Sequence, residues 1–336
     1  MIERSDFSLK EYNTFGIDAK AKCFIEYQNT DELVSLIRSS KLQQPYLHVG
    51  RGSNLLFTHD FEGLVLHSGI RGVECTEVTG STSVRLRVGA GVIWDDFVAY
   101  CVDHLYYGAE NLSLIPGEVG ASAVQNIGAY GSEAAQIIES VETIDADDGS
   151  LKIFNREDCA YGYRQSIFKQ PSMKHYFVTH VNFVLTTSPT FDITYGSLQK
   201  EIDTIGELTL KNVRQAVIAI RRAKLPDPKD IGNAGSFFIN PIVSHEVFDA
   251  LQKQYPTVPF YELSSNQIKV PAGWLIEQSG WKGKSLGPAG VYPKQALVLV
   301  NLGGAKGSDI VKLSNQICSD VEKKFGIQIH PEVNFI

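Results

Sequence analysis

The sequence has no apolar run long enough to cross a lipid bilayer, and it has no internal repeats or low-complexity tracts. Its first fifteen residues carry charges where a secretory signal would need an apolar core, so a cytoplasmic protein is expected. The five cysteines are scattered, odd in number and without metal-ligand spacing, which favours reduced thiols over a disulfide framework. None of the eight histidines forms a metal-ligand pair in the sequence, and no metal site is predicted.

Basic residues are fewer than acidic residues. Lys and Arg number 31 against 38 Asp and Glu, a formal net charge of −7. Nucleic acids and membrane surfaces require a basic face, so neither is expected as a partner. A small anionic ligand remains compatible, because Arg221, Arg222 and Lys224 lie together. The preference of helix C-termini for cations explains part of that cluster equally well.

Several well-known nucleotide and hydrolase motifs are missing. The chain contains no GxGxxG fingerprint, no GxxxxGK[ST] loop and no GxSxG nucleophile elbow. At 336 residues it exceeds a comfortable single core, so two or three domains are expected.

Two glycine-rich segments stand out instead. The central segment, residues 115–131, reads IPGEVGASAVQNIGAYG, and the glycine turn, residues 50–56, reads GRGSNLL. Glycine disfavours a helix, and the central segment lacks strand alternation, so it is predicted to be a non-helical bend. Bare backbone N–H groups suit a pyrophosphate, and Gln125 and Asn126 suit the polar edge of a ring system. A dinucleotide is therefore expected, with a buried interdomain connection as the alternative.

Hydrophobic periodicity predicts a mixture of helices and strands, with an α/β first lobe. The predicted helices cover residues 31–40, 93–104, 212–223, 245–254, 272–278 and 308–325, and the predicted strands cover 23–27, 45–50, 64–67, 84–88, 139–145, 151–154, 176–185 and 296–301. Residues 1–16 are interpreted as a polar arm. The prolines that follow Lys224 predict a domain boundary there.

Three polar residues occur in unusual settings. Arg164 lies among tyrosines in YGYRQSIFK, which suits bidentate pairing with a carboxylate, although a surface ion pair is an equal alternative. Ser236 in GNAGSFFINP reads as a turn residue without a nucleophile's partners. Glu332 in HPEVNF is expected to be partly buried, as paired or functional carboxylates are.

These segments, with AGWLIE, closely resemble the UDP-N-acetylenolpyruvoylglucosamine reductase family (UDP-N-acetylmuramate dehydrogenases), flavoenzymes of bacterial cell-wall precursor synthesis. The resemblance runs in one order from near Asn13 to the C-terminus, and Thr194-Tyr195-Gly196 is similar to the type I subgroup with a tyrosine-bearing substrate loop. It implies an α+β fold with two FAD-binding lobes of the vanillyl-alcohol-oxidase type, residues 1–70 and 71–225, the latter joined by the tail 326–336. Residues 226–325 would form a substrate-binding domain.

The resemblance also implies a reaction. NADPH would reduce non-covalent FAD, whose N5 hydride would reduce enolpyruvyl-UDP-N-acetylglucosamine to UDP-N-acetylmuramate. Arg164 and Glu332 would polarise the substrate carboxylate as an enolate-like intermediate forms, Glu332 as a protonated donor. Ser236 would protonate the adjacent carbon as general acid, a role that only so basic an intermediate makes credible for serine. The protein is expected to act as a monomer.

The matched motifs assign the binding residues. The FAD-binding residues would be Gly50, Arg51, Gly52, Ser53, Asn54, Leu55, Ile115, Pro116, Gly117, Gly120, Ala121, Ser122, Gln125, Asn126, Gly128, Ala129 and Tyr130. The substrate would be held by Tyr195, Lys224, Asn240, Tyr261 and Gln295, with Lys224 and the tyrosines on the diphosphate. Arg221 and Arg222 are not assigned catalytic roles.

The sequence departs from the family pattern at three places. Ala123 replaces a usual proline, Pro271 is uncommon before Ala-Gly-Trp, and Gln295 stands where many relatives have histidine. Two rival functions stay open. An FAD oxidase of the same fold would often tether its flavin through His or Cys, which neither glycine segment contains. A catalytically silent UDP-sugar-binding protein would not need the arginine, serine and glutamate of three separate motifs.

Overall fold

The computed structural model describes residues 1–39, 41–77 and 82–336. Its helices are α1 Thr30–Arg38, α2 Trp94–Asp103, α3 Val119–Gln125, α4 Leu198–Ile205, α5 Leu210–Lys224, α6 His245–Gln254, α7 Ala272–Gln278 and α8 Gly307–Phe325. The strands are β1 Ile2–Ser8, β2 Lys20–Tyr27, β3 Tyr46–Val49, β4 Leu55–Leu56, β5 Phe61–Ser68, β6 Val73–Glu77, β7 Ser83–Gly89, β8 Gly128–Ala129, β9 Ser132–Glu133, β10 Ile138–Asp145, β11 Leu151–Asn155, β12 Tyr176–Thr186, β13 Gly232–Ser236, β14 Ile242–Ser244, β15 Tyr261–Ser264, β16 Gln267–Lys269, β17 Ser285–Leu286, β18 Ala289–Val291, β19 Val298–Asn301 and β20 Asn334–Phe335.

The chain divides into two compact units, each assembled from separate segments. The first unit consists of Met1–Phe7, Ala21–Arg51 and Glu62–Ala223. The second unit consists of Ser8–Lys20, Gly52–Phe61 and Lys224–Ile336. The division between Ala223 and Lys224 falls where the prolines predict a boundary. The tail, which the sequence analysis attached to the lobe of residues 71–225, lies in the second unit.

The first unit contains two sheets. One has the strand order β1-β2-β5-β3, with β3 and β5 parallel, and the other has the order β11-β10-β12-β7-β6. Helices α2 and α3 pack against the second of these sheets, around the fully buried Trp94, Phe97 and Phe183. The predicted helix over residues 31–40 is α1, and Asn29 caps it by accepting the N–H of Glu32 at 2.9 Å.

The second unit contains smaller sheets. A four-stranded sheet has the order β13-β19-β18-β17, and a three-stranded sheet has the order β14-β16-β15. The final strand, β20, runs parallel to β4, which places Asn334 opposite Leu55. The predicted helices over residues 245–254 and 272–278 are α6 and α7. Within the described residues no helix combines the length and apolarity that a membrane span requires.

Two expectations are wrong. The central segment was predicted to be non-helical, but residues 119–125 form α3. The low helix propensity of glycine is overridden by close packing, because a Cβ on Gly120 would lie 2.8 Å from the Cβ of Ala90. The supposed polar arm contains strand β1, whose exposed residues pair at the edge of a sheet and give no hydrophobic alternation to read.

Candidate active site

Asn126 is the polar centre of the central segment. It ends α3 in the left-handed conformation, at φ 45°, and its side chain is fully buried. Its Nδ2 donates to Glu133 Oε2 and to the carbonyl of Gly162, both at 2.9 Å, and its Oδ1 accepts the N–H of Ala135 at 3.0 Å. The predicted ring-binding amide therefore has a structural role within the segment, and it fixes the turn that follows α3.

Arg164 lies directly on the same segment. Its Nη2 donates to the carbonyl of Gly128 at 2.6 Å, and its Nη1 donates to the carbonyl of Asn126 at 3.4 Å. The guanidinium lies over the ring of Tyr163, with Cζ 5.1 Å from the centroid. Because these contacts hold the planar group in one pose, Arg164 is fixed beside a predicted flavin-binding backbone.

Tyr195, the predicted substrate-loop tyrosine, lies beside Tyr130 of the central segment. Their rings meet edge to face, with centroids 6.2 Å apart. The buried Asn111 joins the two regions, because its Nδ2 donates to the carbonyls of Tyr130 and Asp192, at 3.0 and 2.7 Å. Arg221 bonds the carbonyl of Leu114 through Nε at 3.2 Å, so this cation is more than a helix-end residue.

A buried histidine braces the start of α3. His67 is 1% exposed and lies between two carboxylates. Its Nδ1 is 2.8 Å from Glu26 Oε2, and its Nε2 is 3.1 Å from Oε1 of Glu118, the residue that precedes α3. Buried polar side chains are retained when they are hydrogen-bonded, so this triad ties the start of α3 to strands β2 and β5.

Most of the glycine turn, from Gly52 onward, belongs to the second unit. Gly52 is buried at φ 63°, and a Cβ there would lie 2.1 Å from the carbonyl oxygen of Tyr12, so only glycine is accommodated. Among the described residues, the N–H groups of Gly52, Ser53 and Asn54 have no protein acceptor, and the buried hydroxyl of Thr14 has none either. Gly52 is buried while Ser53 and Asn54 are partly exposed, and a row of backbone N–H donors in one turn is the kind of group that binds a phosphate.

Ser236 and Glu332 both lie in the second unit, in backbone segments that are hydrogen-bonded to each other. Ser236 ends β13 and is exposed, and the next residue, Phe237, accepts the N–H of Glu332 through its carbonyl at 2.8 Å. Glu332 is half-buried, as predicted. Its own carbonyl accepts from Nδ2 of Asn54 at 3.3 Å, which connects it to the glycine turn. Arg164 belongs to the first unit.

The remaining predicted substrate residues also belong to the second unit. Lys224 is exposed where the unit begins, and Tyr261 is 47% exposed on β15, with the Lys269 ammonium 5.1 Å from its ring centroid. Asn240 caps α7 by accepting the N–H of Ala272 at 2.9 Å. Gln295 accepts the N–H of Leu297 at 3.3 Å, so both amides have local structural partners.

One group of possible metal ligands lies elsewhere, at the β10–β11 turn. Single ligand atoms of Asp145, Asp147 and His175 lie within 4.8 Å of one another. The N–H of Asp147 bonds Asp145 Oδ1 at 2.9 Å, an ordinary turn interaction that accounts for the two carboxylates without an ion. The sequence gives no sign of this grouping, because His175 comes from the start of the next strand.

Comparisons with known proteins decide the family. Residues 21–155 match the FAD binding domain, and residues 227–336 match the UDP-N-acetylenolpyruvoylglucosamine reductase C-terminal domain. The chain is 57% identical to UDP-N-acetylenolpyruvoylglucosamine reductase from Bacteroides fragilis strain YCH46, over 98% of this chain and 99% of the relative. It belongs to the UDP-N-acetylenolpyruvoylglucosamine reductase family.

Solved structures agree on the fold. The reductase from Thermus caldophilus gives a TM-score of 0.69 at 23% identity, with 99% of each chain covered. A 4-ethylphenol oxidase from Gulosibacter chungangensis gives 0.53 at 12% identity, covering 97% of this chain and 84% of the oxidase. The predicted fold class is confirmed: an α+β FAD-binding fold of the vanillyl-alcohol-oxidase type, with a C-terminal reductase-family domain.

Family membership puts the departures in context. Ala123, where the resemblance leads us to expect proline, is fully buried within α3, and its backbone N–H is available to the helix. Pro271 directly precedes α7, a position where proline's missing N–H costs nothing.

Sequence reasoning missed several polar residues, among them Asn111, Thr14 and Lys169. Asn111 is an uncharged residue next to an apolar stretch, and its two carbonyl partners are distant in sequence. Thr14 stands in the Asn13-Thr14-Phe15-Gly16 run that was read only as the end of an arm. Lys169 is the last residue of the YGYRQSIFK segment, and no local pattern distinguishes it from an ordinary surface lysine.

Proposed function

We propose that this chain is the reductase that converts enolpyruvyl-UDP-N-acetylglucosamine to UDP-N-acetylmuramate for peptidoglycan synthesis, using FAD and NADPH. One observation carries the proposal: a proposed catalytic residue in each unit is bonded directly to a flavin-binding segment. In the first unit Arg164 bonds the carbonyl of Gly128. In the second unit Asn54 bonds the carbonyl of Glu332. The 57% identity to the Bacteroides fragilis reductase supports the same activity.

FAD, when bound, would supply a hydride acceptor for NADPH and a hydride donor for the enolpyruvyl group. Residues 50–55 and selected residues between 115 and 130 would hold it. The open N–H groups of Gly52, Ser53 and Asn54 fit the pyrophosphate. Gln125, a partly exposed amide at the end of α3, offers hydrogen bonds to the polar edge of the ring.

Arg164 would stabilise the charge that develops on the substrate carboxylate. Two of its N–H groups are engaged by backbone carbonyls, which orients the guanidinium before substrate binds. An oriented cation of this kind loses little free energy to reorganisation, and preorganised electrostatic stabilisation is commonly the largest catalytic effect.

Ser236 and Glu332 would act as donors in the same reaction. Ser236 would donate a proton to the carbon next to the one that receives hydride, and Glu332, in its protonated form, would donate a hydrogen bond to the carboxylate. The carbonyl of Phe237, the residue after Ser236, accepts the N–H of Glu332, which supports neighbouring backbone positions for the two residues. Tyr195, Lys224, Asn240, Tyr261 and Gln295 would bind the UDP-sugar, with the tyrosines and Lys224 at the diphosphate. We further propose a cytoplasmic monomer.

Separate measurement of the two half-reactions tests the proposal. The purified protein should be yellow, lose its colour with NADPH under anaerobic conditions and regain it with enolpyruvyl-UDP-N-acetylglucosamine. Recolouring by oxygen alone, but not by this substrate, would establish the oxidase alternative, and a colourless protein that binds UDP-sugar would establish the silent one.

Ser236→Ala gives the sharper result. Flavin reduction by NADPH should stay near the wild-type rate, while reoxidation by the substrate slows about 10²–10⁴-fold, because the proton donor is gone. Ser285→Ala, an exposed serine on β17 of the same sheet, is the matched control and should change neither rate. Equal losses in both half-reactions of Ser236→Ala would exclude the proton-donor role.

A further inference from the structure

Lys169 makes two contacts that connect Gln125 with Arg164. Its ammonium lies 3.3 Å from Gln125 Oε1 and 3.0 Å from the backbone carbonyl oxygen of Arg164. A lysine ammonium only donates hydrogen bonds, so the Gln125 atom that faces it is the amide oxygen. The Gln125 amide nitrogen, with its two donors, therefore faces away from Lys169.

We propose that Lys169 is a positioning residue for the reductase reaction. It fixes the amide orientation of Gln125 so that the N–H donors, not the oxygen, are presented to the flavin ring, and it holds the backbone of Arg164. This inference rests on the proposed function, because it requires Gln125 and Arg164 to serve bound flavin and substrate.

The backbone of Arg164 needs such support. Its φ is 54°, in the left-handed region that residues with a side chain seldom occupy, and it lies in a turn closed by mutual hydrogen bonds between Gly162 and Gln165. The Lys169 bond to the Arg164 carbonyl fixes the Arg164–Gln165 peptide unit within this turn. The guanidinium direction depends on that backbone, so Lys169 acts on Arg164 without touching its charged group.

The segment that carries Lys169 is itself anchored to α3. Ser166 Oγ donates to the carbonyl of Val124 at 2.6 Å, and Phe168 is 5% exposed in the core beside Phe154. The anchor on α3 is thus Val124, the residue before Gln125, and the buried Phe168 is the residue before Lys169. A rigid support of this kind is what precise placement of a reacting group requires.

A fixed amide orientation has an electronic consequence. Reduced flavin carries more electron density on its ring heteroatoms than oxidised flavin, so N–H donors favour the reduced form and a facing amide oxygen disfavours it. Loss of Lys169 would let the Gln125 amide turn over. The flavin reduction potential should then become more negative, which a purely structural role for Lys169 would not produce.

The test compares four proteins that carry FAD: wild type, Lys169→Met, Lys169→Arg and the control Lys174→Met. Lys169→Met keeps a long, unbranched side chain but removes its charge and its hydrogen-bond donors. Lys174 is an exposed lysine five residues away. Measurements are the reduction potential, FAD affinity from flavin fluorescence, and both half-reactions. We expect Lys169→Met to have a more negative potential and substrate reoxidation slowed about 10²-fold. Lys169→Arg should recover most of both, and Lys174→Met should match wild type.

Repeating the substitution in a Gln125→Ala protein tests whether Lys169 acts through the Gln125 amide. In Gln125→Ala protein, adding Lys169→Met should change the potential little further, because the group that Lys169 orients is absent. An equal potential shift in both backgrounds, or a wild-type potential in Lys169→Met, overturns the inference. Failure of wild type itself to bind FAD or to be reoxidised by enolpyruvyl-UDP-N-acetylglucosamine would refute the proposed function instead. If Lys169→Met does not fold, a wild-type potential in the Gln125→Ala single variant gives the same refutation of the amide's role.

Discussion

The two glycine-rich segments differ in how their backbone N–H and carbonyl groups are hydrogen-bonded. The glycine turn presents the N–H groups of Gly52, Ser53 and Asn54 without acceptors in the described chain. The central segment is instead held by side chains, since Arg164 and Asn111 bond to its carbonyls and Asn126 bonds to a loop beside it. Open donors suit an anion that adapts to them, and a side-chain-braced segment suits a ring that must be held in one orientation.

This difference assigns phosphate binding to the glycine turn and alignment of the flavin ring to the central segment. A phosphate is recognised by charge and by several equivalent oxygens, so a turn of bare backbone is sufficient. A hydride transfer depends on small displacements of the reacting atoms, so the ring requires a rigid frame. The comparison predicts that damage to the turn weakens folding and cofactor affinity, while damage to the central segment also disturbs the chemistry.

The largest expected effect comes from Gly52→Ala. The new Cβ would lie 2.1 Å from the Tyr12 carbonyl oxygen, so the free energy of unfolding of the second unit should fall by about 4 kcal/mol or more. Gly16→Ala is the matched control, with the same φ of 63° and nothing within 4 Å, and should cost about 1 kcal/mol. Thermal and denaturant unfolding compare the two. Similar losses in both variants would show that the close approach at Gly52 is unimportant.

Asn126→Ala tests the braced segment and should have an intermediate effect. Three part-buried hydrogen bonds are lost and the N–H of Ala135 is left without its side-chain acceptor, so the free energy of unfolding should fall by about 3 kcal/mol. Asn212→Ala removes one exposed side-chain bond to the Glu207 carbonyl and should cost less than about 1 kcal/mol. FAD affinity should fall for Asn126→Ala alone. A wild-type FAD affinity in that variant would contradict the role assigned to the segment.

The smallest effect is a pH dependence at His48, two residues before the glycine turn. Burial, with a smaller contribution from His67, lowers the pKa of His48 from 6.5 to about 3. The unfolded chain therefore binds this proton more readily, and the stability that neutral His48 contributes is complete above pH 6.5 and lost as the pH falls toward 3. Wild type should lose about 2 kcal/mol more than His48→Gln between pH 6.5 and 5. Parallel stability curves for the two proteins would refute this assignment.

The sequence predicts most of the regular structure, because hydrophobic periodicity and caps are local signals. Helices α1, α6 and α7 and the long strand β12 follow from such patterns. Helix α3 could not be predicted, since what permits it is the contact of Gly120 with Ala90, thirty residues away in sequence. Strand β1 was missed because its residues are mostly exposed and its pairing partner decides its structure.

The site was only partly predictable for the same reason. Arg164 is found from its motif because tyrosines flank it in the chain, and its bond to Gly128 then follows from the fold. The bracing residues give no local signal: Asn111, Lys169 and His67 act on carbonyls, amides and carboxylates that other elements supply. Single residues with chemical character can be recognised in a sequence, whereas the residues that orient them are identified only by their partners.

The pairing of β20 with β4 has a consequence for how the chain is made. Strand β4 receives its neighbour only when residues 334–335 exist, and Thr58 bonds the carbonyl of Ile336, 278 residues further along. During synthesis strand β4 therefore lacks this neighbour until residues 334–335 have emerged from the ribosome. For the same reason, a fragment of residues 224–336 expressed alone would lack strand β4 and should not reach its native state without the early segments supplied in trans.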